Sequence, residues 1–172
     1  DERAARAYWA DLLHDFGGLT GVTPPKAAAA DAAATDNTSE TEFTEPQTLE
    51  FELDESLSAS LQKLAKAEAV TLSALVQALW AIVLGGVNKG SRDVVYGVVT
   101  SGRPAEVAGI ETAVGLFIQT LPLRARWQGN DPLGALLASV KEQSLQQMRY
   151  GYVPLAAMGR NLLDHLMVFE NY

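Results

Sequence analysis

Residues 94–127 read VVYGVVTSGRPAEVAGIETAVGLFIQTLPLRARW. Val94 to Val99 is a short apolar run, rich in β-branched residues and preceded by a Gly90–Ser91 turn, which reads as a buried strand. At the far end, Ile118, Leu121, Leu123, Ala125 and Trp127 fall mostly in phase for a second strand. Pro122 has no N–H for the ladder, so that strand is expected at a sheet edge or around a bulge. Between the two lies a tight SGRP turn, Ser101 to Pro104. Gly102 permits a positive φ, Pro104 fixes the exit, and Arg103 sets a permanent cation with a fork of donors at the end of a buried strand. Strand-end loops are where α/β folds place their sites. Pairing of Arg103 with Glu106 or Glu111 is the competing, purely structural account.

Working outward, the flanking segments alternate between helical and extended periods. Ala4, Ala7, Tyr8, Leu12 and Phe16 form a helical stripe ended by Gly17 and Gly18. Residues 20–46 turn to Ala, Thr, Asp, Ser and Pro with almost no large apolar side chain, which predicts a long mobile loop. Leu49, Phe51 and Leu53 alternate with polar residues, the period of a half-buried strand. Asp54 or Ser56 then caps a helix with Leu57, Leu61, Leu64 and Val70 on one side. Thr71 caps another, LSALVQALWAIVLGGV, with so little polar face that it is expected to run through the core. After the quoted stretch, Asp131 and Pro132 form a cap-plus-first-residue pair for a helix reaching about Tyr150, with Leu133, Leu136, Leu137, Val140 and Met148 as its apolar positions. Pro154 to Arg160 can add a helical turn, and Leu166 to Phe169 a last strand. The order implies an α/β layer structure, a sheet of at least four strands with helices packed over it.

The composition narrows what this fold could do. The chain has 172 residues, 48% hydrophobic and 20% charged, as expected of one globular unit or one lobe of a larger one. A net charge of −8 opposes attraction to a nucleic-acid backbone. With no cysteine and two histidines, thiolate catalysis and Cys- or His-rich metal sites are excluded. No signal pattern or membrane-spanning run is present, and a cytoplasmic, unstapled protein is expected. A helical pattern at Asp1 and a strand-like run before Tyr172 suggest an excised piece.

Several constellations have plain structural accounts. Gly85, Gly86, Lys89 and Gly90 follow a helix instead of preceding one, so they read as helix termination and not as a phosphate loop. His14 suits a helix C-terminus beside Asp11 and Asp15. His165 after Asp164 invites a general-base role, but no serine nucleophile is identifiable for it, and strand entry is the simpler account. The acidic residues from Asp36 to Glu55 are scattered and not spaced as ligands. Trp9, Trp80 and Trp127 lie on apolar stripes and read as core.

Taken in order, AYWADLL at 7–13, DVVYGVVTSGRPAEVAGIETAVGLFIQTLPLR at 93–124, NDPLGALLASVKE at 130–142 and NLLDHLMVFENY at 161–172 resemble the C-terminal lobe of nonribosomal peptide synthetase condensation domains. These belong to the chloramphenicol acetyltransferase-like superfamily. The resemblance covers nearly the whole chain except 20–46. It implies an α/β fold in which a mixed sheet covered by helices makes one lobe of two.

In that family a tunnel between the lobes admits phosphopantetheine arms of carrier proteins, and an acceptor amine attacks a donor thioester to form an amide. The motif HHxxxDG lies in the N-terminal lobe, and this chain has no adjacent histidines. The resemblance therefore implies no catalytic residue and no metal here, only a tunnel wall and loops that hold two tethered substrates together. It places Ser101, Arg103, Gln119 and Thr120 nearest the tunnel. Gln119 departs from the family's usual Asn but keeps the same donors and acceptor. FIQTLPLR favours condensation over epimerisation. The implied partners are an N-terminal lobe, peptidyl or acyl carrier proteins and an adenylation domain, with no nucleic acid or membrane. Docking of acidic carriers would need local cations, for which Arg124, Arg126, Arg149 and Arg160 are candidates. Two other readings use the same fold: a noncatalytic carrier- or domain-docking module, and one lobe of a free-standing acyltransferase.

Overall fold

The computed structural model describes residues 1–22, 48–103, 107–159 and 162–170. In chain order it contains α1 (Glu2–Leu13), α2 (Glu55–Ala67), α3 (Leu72–Val87), β1 (Asp93–Thr100), β2 (Gln119–Arg126), α4 (Leu133–Tyr150), a 3-10 turn (Leu155–Ala157) and β3 (Leu166–Met167). Most of the loop expected at 20–46, and the acidic residues from Asp36 to Glu45, lie outside the described residues.

The sheet has the order β2-β1-β3. β1 and β2 run antiparallel, from Asp93 opposite Arg126 to Thr100 opposite Gln119. β3 is parallel to β1, with Gly97 opposite Leu166. The described residues thus hold three strands in place of the four or more expected, because Leu49, Phe51 and Leu53 form no strand. They are 88%, 79% and 49% exposed, and alternation alone makes no ladder without a neighbouring strand.

As the central strand, β1 is covered on both faces, which is why its apolar run barely alternates. Val94, Tyr96 and Val98 pack with Leu123 and Ala125 against Ala65 of α2, Leu75, Ala78 and Leu84 of α3, and Leu136, Leu137 and Val140 of α4. On the other face Val95 packs with Ala5, Trp9 and Leu13 of α1, in a second cluster that also takes in Val153 and, from the sheet end, Leu121. The buried stripe of α1 is therefore displaced by one residue from the expected one, because the Trp9 ring sets the phase; its indole N–H donates to the Tyr150 carbonyl at 3.0 Å. Trp80 and Trp127 pack at the edge of the larger core.

The caps fall largely where the sequence placed them. Asp54 accepts from the Leu57 N–H at 2.7 Å and Thr71 from the Ala74 N–H at 3.1 Å. α3 ends through Asn88, whose N–H reaches the Leu84 carbonyl, and Gly90, with φ +78°, bonds the Gly85 carbonyl. Asp131 does not cap α4. Its carboxylate accepts the Gln128 N–H at 2.8 Å, and Pro132 takes the cap position with no side-chain bond. α3 is buried along one side only: its inner positions are mainly alanines, while Ile82, Val83 and Val87 are 41–52% exposed. No single described helix is long and apolar enough to cross a membrane.

Pro122 sits on the edge strand β2, as its chemistry demands. Arg124, two residues on, turns both its N–H and its C=O away from β1 toward the Gln143 side chain. Pro122 shares that orientation, so the N–H it lacks is absent from the edge and not from the ladder. Its carbonyl accepts from Gln147 Nε2 at 3.1 Å.

Candidate functional site

Because Thr100 and Gln119 are paired, the chain leaves β1 and enters β2 at one end of the sheet. The last turn of α4 arrives at the same end: the Cβ direction of Gly151 lies 2.7 Å from Leu121 Cδ1 and 3.2 Å from Gln119 Oε1. Between them is a cleft of about 190 Å³. Thr100, Ser101, Gly102 and Arg103 line one side, Gln119 the start of β2, and Gln147, Met148, Gly151 and Tyr152 the other side.

Gly102 holds φ +57°, and a Cβ there would fall 2.0 Å from the Phe117 carbonyl oxygen, so only glycine allows the returning chain this close. Arg103 does not pair with Glu111, and Glu106 lies outside the described residues. Its guanidinium donates to the carbonyls of Ile110 and Ala113 and lies over the Phe117 ring, 4.1 Å from its centre. The cation thus ties the connecting segment to the end of β1. Of the four residues placed nearest the tunnel, Ser101, Arg103 and Gln119 meet in the cleft. Thr120, next along β2, points to the opposite face, where its Cγ2 approaches Gly97. The α4 wall was not anticipated, although Leu136, Val140, Gln143 and Gln147 share one helical stripe, and two glutamines on an apolar stripe signal polar groups with buried partners.

A charged cluster, Asp15, Asp93, Arg124 and Arg126, lies outside the cleft. Arg124, its side chain 3% exposed, is bidentate to Asp93 and also bonds Asp15 and the Leu12 carbonyl. Arg126 bonds Asp15 at 2.8 Å. Arg124 is therefore consumed in joining α1 to the sheet, whereas Arg126, paired with the same carboxylates, stays 54% exposed. Arg149 stacks over Tyr150, and Arg160 lies outside the described residues. Hydrogen bonding to Arg124 draws the Asp15 carboxyl down to about 2, and the hydrogen bonds that Arg124 donates to Asp93 raise its own pKa.

His165 is held between Trp80 and Tyr96. Its Nε2 accepts the Trp80 indole N–H at 3.1 Å, so in the neutral ring Nδ1 carries the proton. The imidazole stacks on Tyr96, and burial lowers its pKa. Its Nδ1 is buried with no hydrogen-bond partner among the described residues, 3.9 Å from Asp164 Oδ2. Burial likewise pushes the Tyr96 phenol up, and the Tyr8 phenol to about 12.

Comparison with known proteins places this arrangement. The family model described as "Condensation domain" matches residues 1–172. The chain is 39% identical over 178 residues to Gramicidin S synthase 2 of Brevibacillus brevis and 36% identical over 177 residues to Surfactin synthase subunit 3 of Bacillus subtilis (strain 168). Both alignments cover all of this chain, which spans 4% of the first relative's length and 13% of the second's. Among solved structures, the first condensation domain of the CDA synthetase superposes with a TM-score of 0.73 at 19% identity, over 99% of this chain and 35% of that one. The condensation domain of the Monacolin K polyketide synthase MokA superposes with a TM-score of 0.63 at 21% identity, over 91% of this chain and 35% of that one. These two likenesses are of fold.

Proposed function

The chain belongs to the condensation-domain family of nonribosomal peptide synthetases, and from that premise we propose that it is the C-terminal lobe of a domain that joins two carrier-tethered substrates through an amide bond. In this reading the acceptor amine nitrogen bonds to the donor acyl carbon and the C–S bond breaks. The amine's proton leaves with the thiol of the donor's phosphopantetheine arm. The group that takes that proton belongs to the HHxxxDG lobe, because no histidine of this chain reaches the cleft.

One observation carries the reading: the cleft is built as half of a site. It opens at the sheet end where Ser101, Arg103 and Gln119 meet, and the segment Arg103 ties down exposes Val114, Leu116 and Ile118 at 101%, 91% and 65%. Three large apolar residues on one short segment, held out by a fixed backbone, suit a surface that a second lobe covers. Burial of that kind excludes water from two thioester-bound reactants and supplies proximity. Carrier proteins delivering the arms and an adenylation domain loading them are the partners this requires.

The test is product formation by the parent condensation domain supplied with a donor-loaded and an acceptor-loaded carrier protein. Intact-protein mass spectrometry should show the amide on the acceptor arm. The present chain alone should leave both carriers unchanged. Amide formed by this chain above the buffer control would overturn the assignment of the proton acceptor to the other lobe.

A further inference from the structure

We infer that Met148 and Tyr152 form a selectivity wall that receives the apolar side chain of one tethered substrate, an inference that rests on the amide-forming reading above. The cleft's larger side chains divide into those the fold holds and those it leaves free. Gln147 is 5% exposed and committed to the Pro122 carbonyl. Arg103 is committed to two carbonyls and to Phe117. Gln119 is boxed between two glycines, its Cδ 3.2 Å from the Cβ direction of Gly102 and its Oε1 3.2 Å from that of Gly151. Met148 and Tyr152 have no such ties: they are 64% and 51% exposed, four residues apart at the end of α4, and both line the cleft.

Their chemistry defines the occupant. A thioether on a flexible stem and a phenol ring offer adaptable apolar surface, the ring with a polar tip. Among the described residues, Arg103 is the only charged side chain lining the cleft, and its donors are turned to the connecting segment. A charged group entering would lose water without gaining a counter-ion, so the wall discriminates against it. At about 190 Å³ the cleft is smaller than a typical drug-sized pocket and matches a single side chain. The Gln119 carboxamide beside it presents both a donor and an acceptor to the amide or thioester end of the same molecule.

The experiment uses the parent condensation domain, two loaded carriers and two substrate series. One series varies the side chain on the acceptor amine and the other that on the donor acyl group, each from none through leucine-like and phenylalanine-like to glutamate-like. Tyr152→Ala should lower kcat/KM for the large apolar members by about tenfold and leave the member without a side chain within about twofold. Tyr152→Phe should retain the unmodified preference. The series in which the ratio moves identifies the occupant's source. Met148→Ala carries the same expectation should Tyr152→Ala not fold. An equal fall across both series, or unchanged ratios in variants that melt normally, overturns the wall while the parent domain still forms amide. A parent domain that forms no amide from either series overturns the functional reading and the wall with it.

Discussion

The carboxamide of Gln143 closes a two-bond ring with the backbone of Arg124, accepting its N–H at 3.0 Å and donating to its C=O at 2.6 Å. A side-chain amide here does what an adjacent strand would do, and it does so on the open edge of β2. Together with Gln147 on the Pro122 carbonyl, it converts the helix α4 into a cover for a sheet edge that would otherwise present unpaired groups. Gln143→Leu keeps the volume but orphans two buried backbone groups, and should destabilise the domain by about 2–4 kcal/mol. Gln143→Glu can still accept the N–H but, when ionised, cannot donate, and should fall between. Urea unfolding of the parent domain, with unchanged slope, checks the order.

Arg103 acts on the site through the segment it ties down, so its shape matters more than its charge. Lysine cannot reach two carbonyls and stack on Phe117 at once. Both Arg103→Lys and Arg103→Ala in the parent domain should therefore lower the amide-forming rate, by about tenfold or more for a misplaced wall. Amide hydrogen exchange in 107–118 should rise in parallel. If Arg103→Lys restored the rate, contact of the charge with substrate would be the better account.

The two titrating clusters act in separate pH windows. Burial holds His165 below its ordinary 6.5, so just below that pH the unfolded chain binds a proton the folded chain refuses. Stability is full above about 6.5 and falls as the pH drops, because protonation must occur at Nε2 and sever the Trp80 bond. Asp15 has the same sign but a lower window: hydrogen bonding to Arg124 lowers its carboxyl from 3.8 to about 2, and its contribution is lost only as the pH falls through that range. Denaturation midpoints of the parent domain between pH 7.5 and 5, with His165→Gln as the control that flattens this segment, separate the two.

What could be read from residues alone was whatever depends on local chemistry. The β1 run, the edge position forced by Pro122, the Asp54 and Thr71 caps and the glycine-rich end of α3 each follow from a single residue's bonding limits. Leu49, Phe51 and Leu53 misled because period-2 alternation describes half of a strand pair; no described neighbour supplies the other half. The cleft was half legible. Ser101, Arg103 and Gln119 lie on the stretch that shapes it, whereas Gln147, Met148, Gly151 and Tyr152 reach it only because α4 packs along β2. Asp131 shows the same limit: a good cap residue was drawn away by the Gln128 N–H, three residues back.

Gly97 is the position where β3 closes on the sheet, and it carries the last prediction. Its N–H donates to the His165 carbonyl at 3.2 Å, and an added Cβ would fall 2.5 Å from Leu166 Cδ2 and 3.1 Å from both Leu163 Cδ1 and Thr120 Cγ2. Those atoms are side-chain ends, and Leu166 is 56% exposed, so it can swing away while β1 and β2 stay paired. Gly97→Ala should therefore cost about 1–3 kcal/mol through β3 rather than through the core. Hydrogen exchange at residue 97 should quicken, the Trp80–His165 contact should loosen, and tryptophan fluorescence should report it. Adding Leu166→Ala makes room for the new methyl group and should restore protection at residue 97. If the double variant were no more protected than Gly97→Ala, the clash with Leu166 would not be what seats β3.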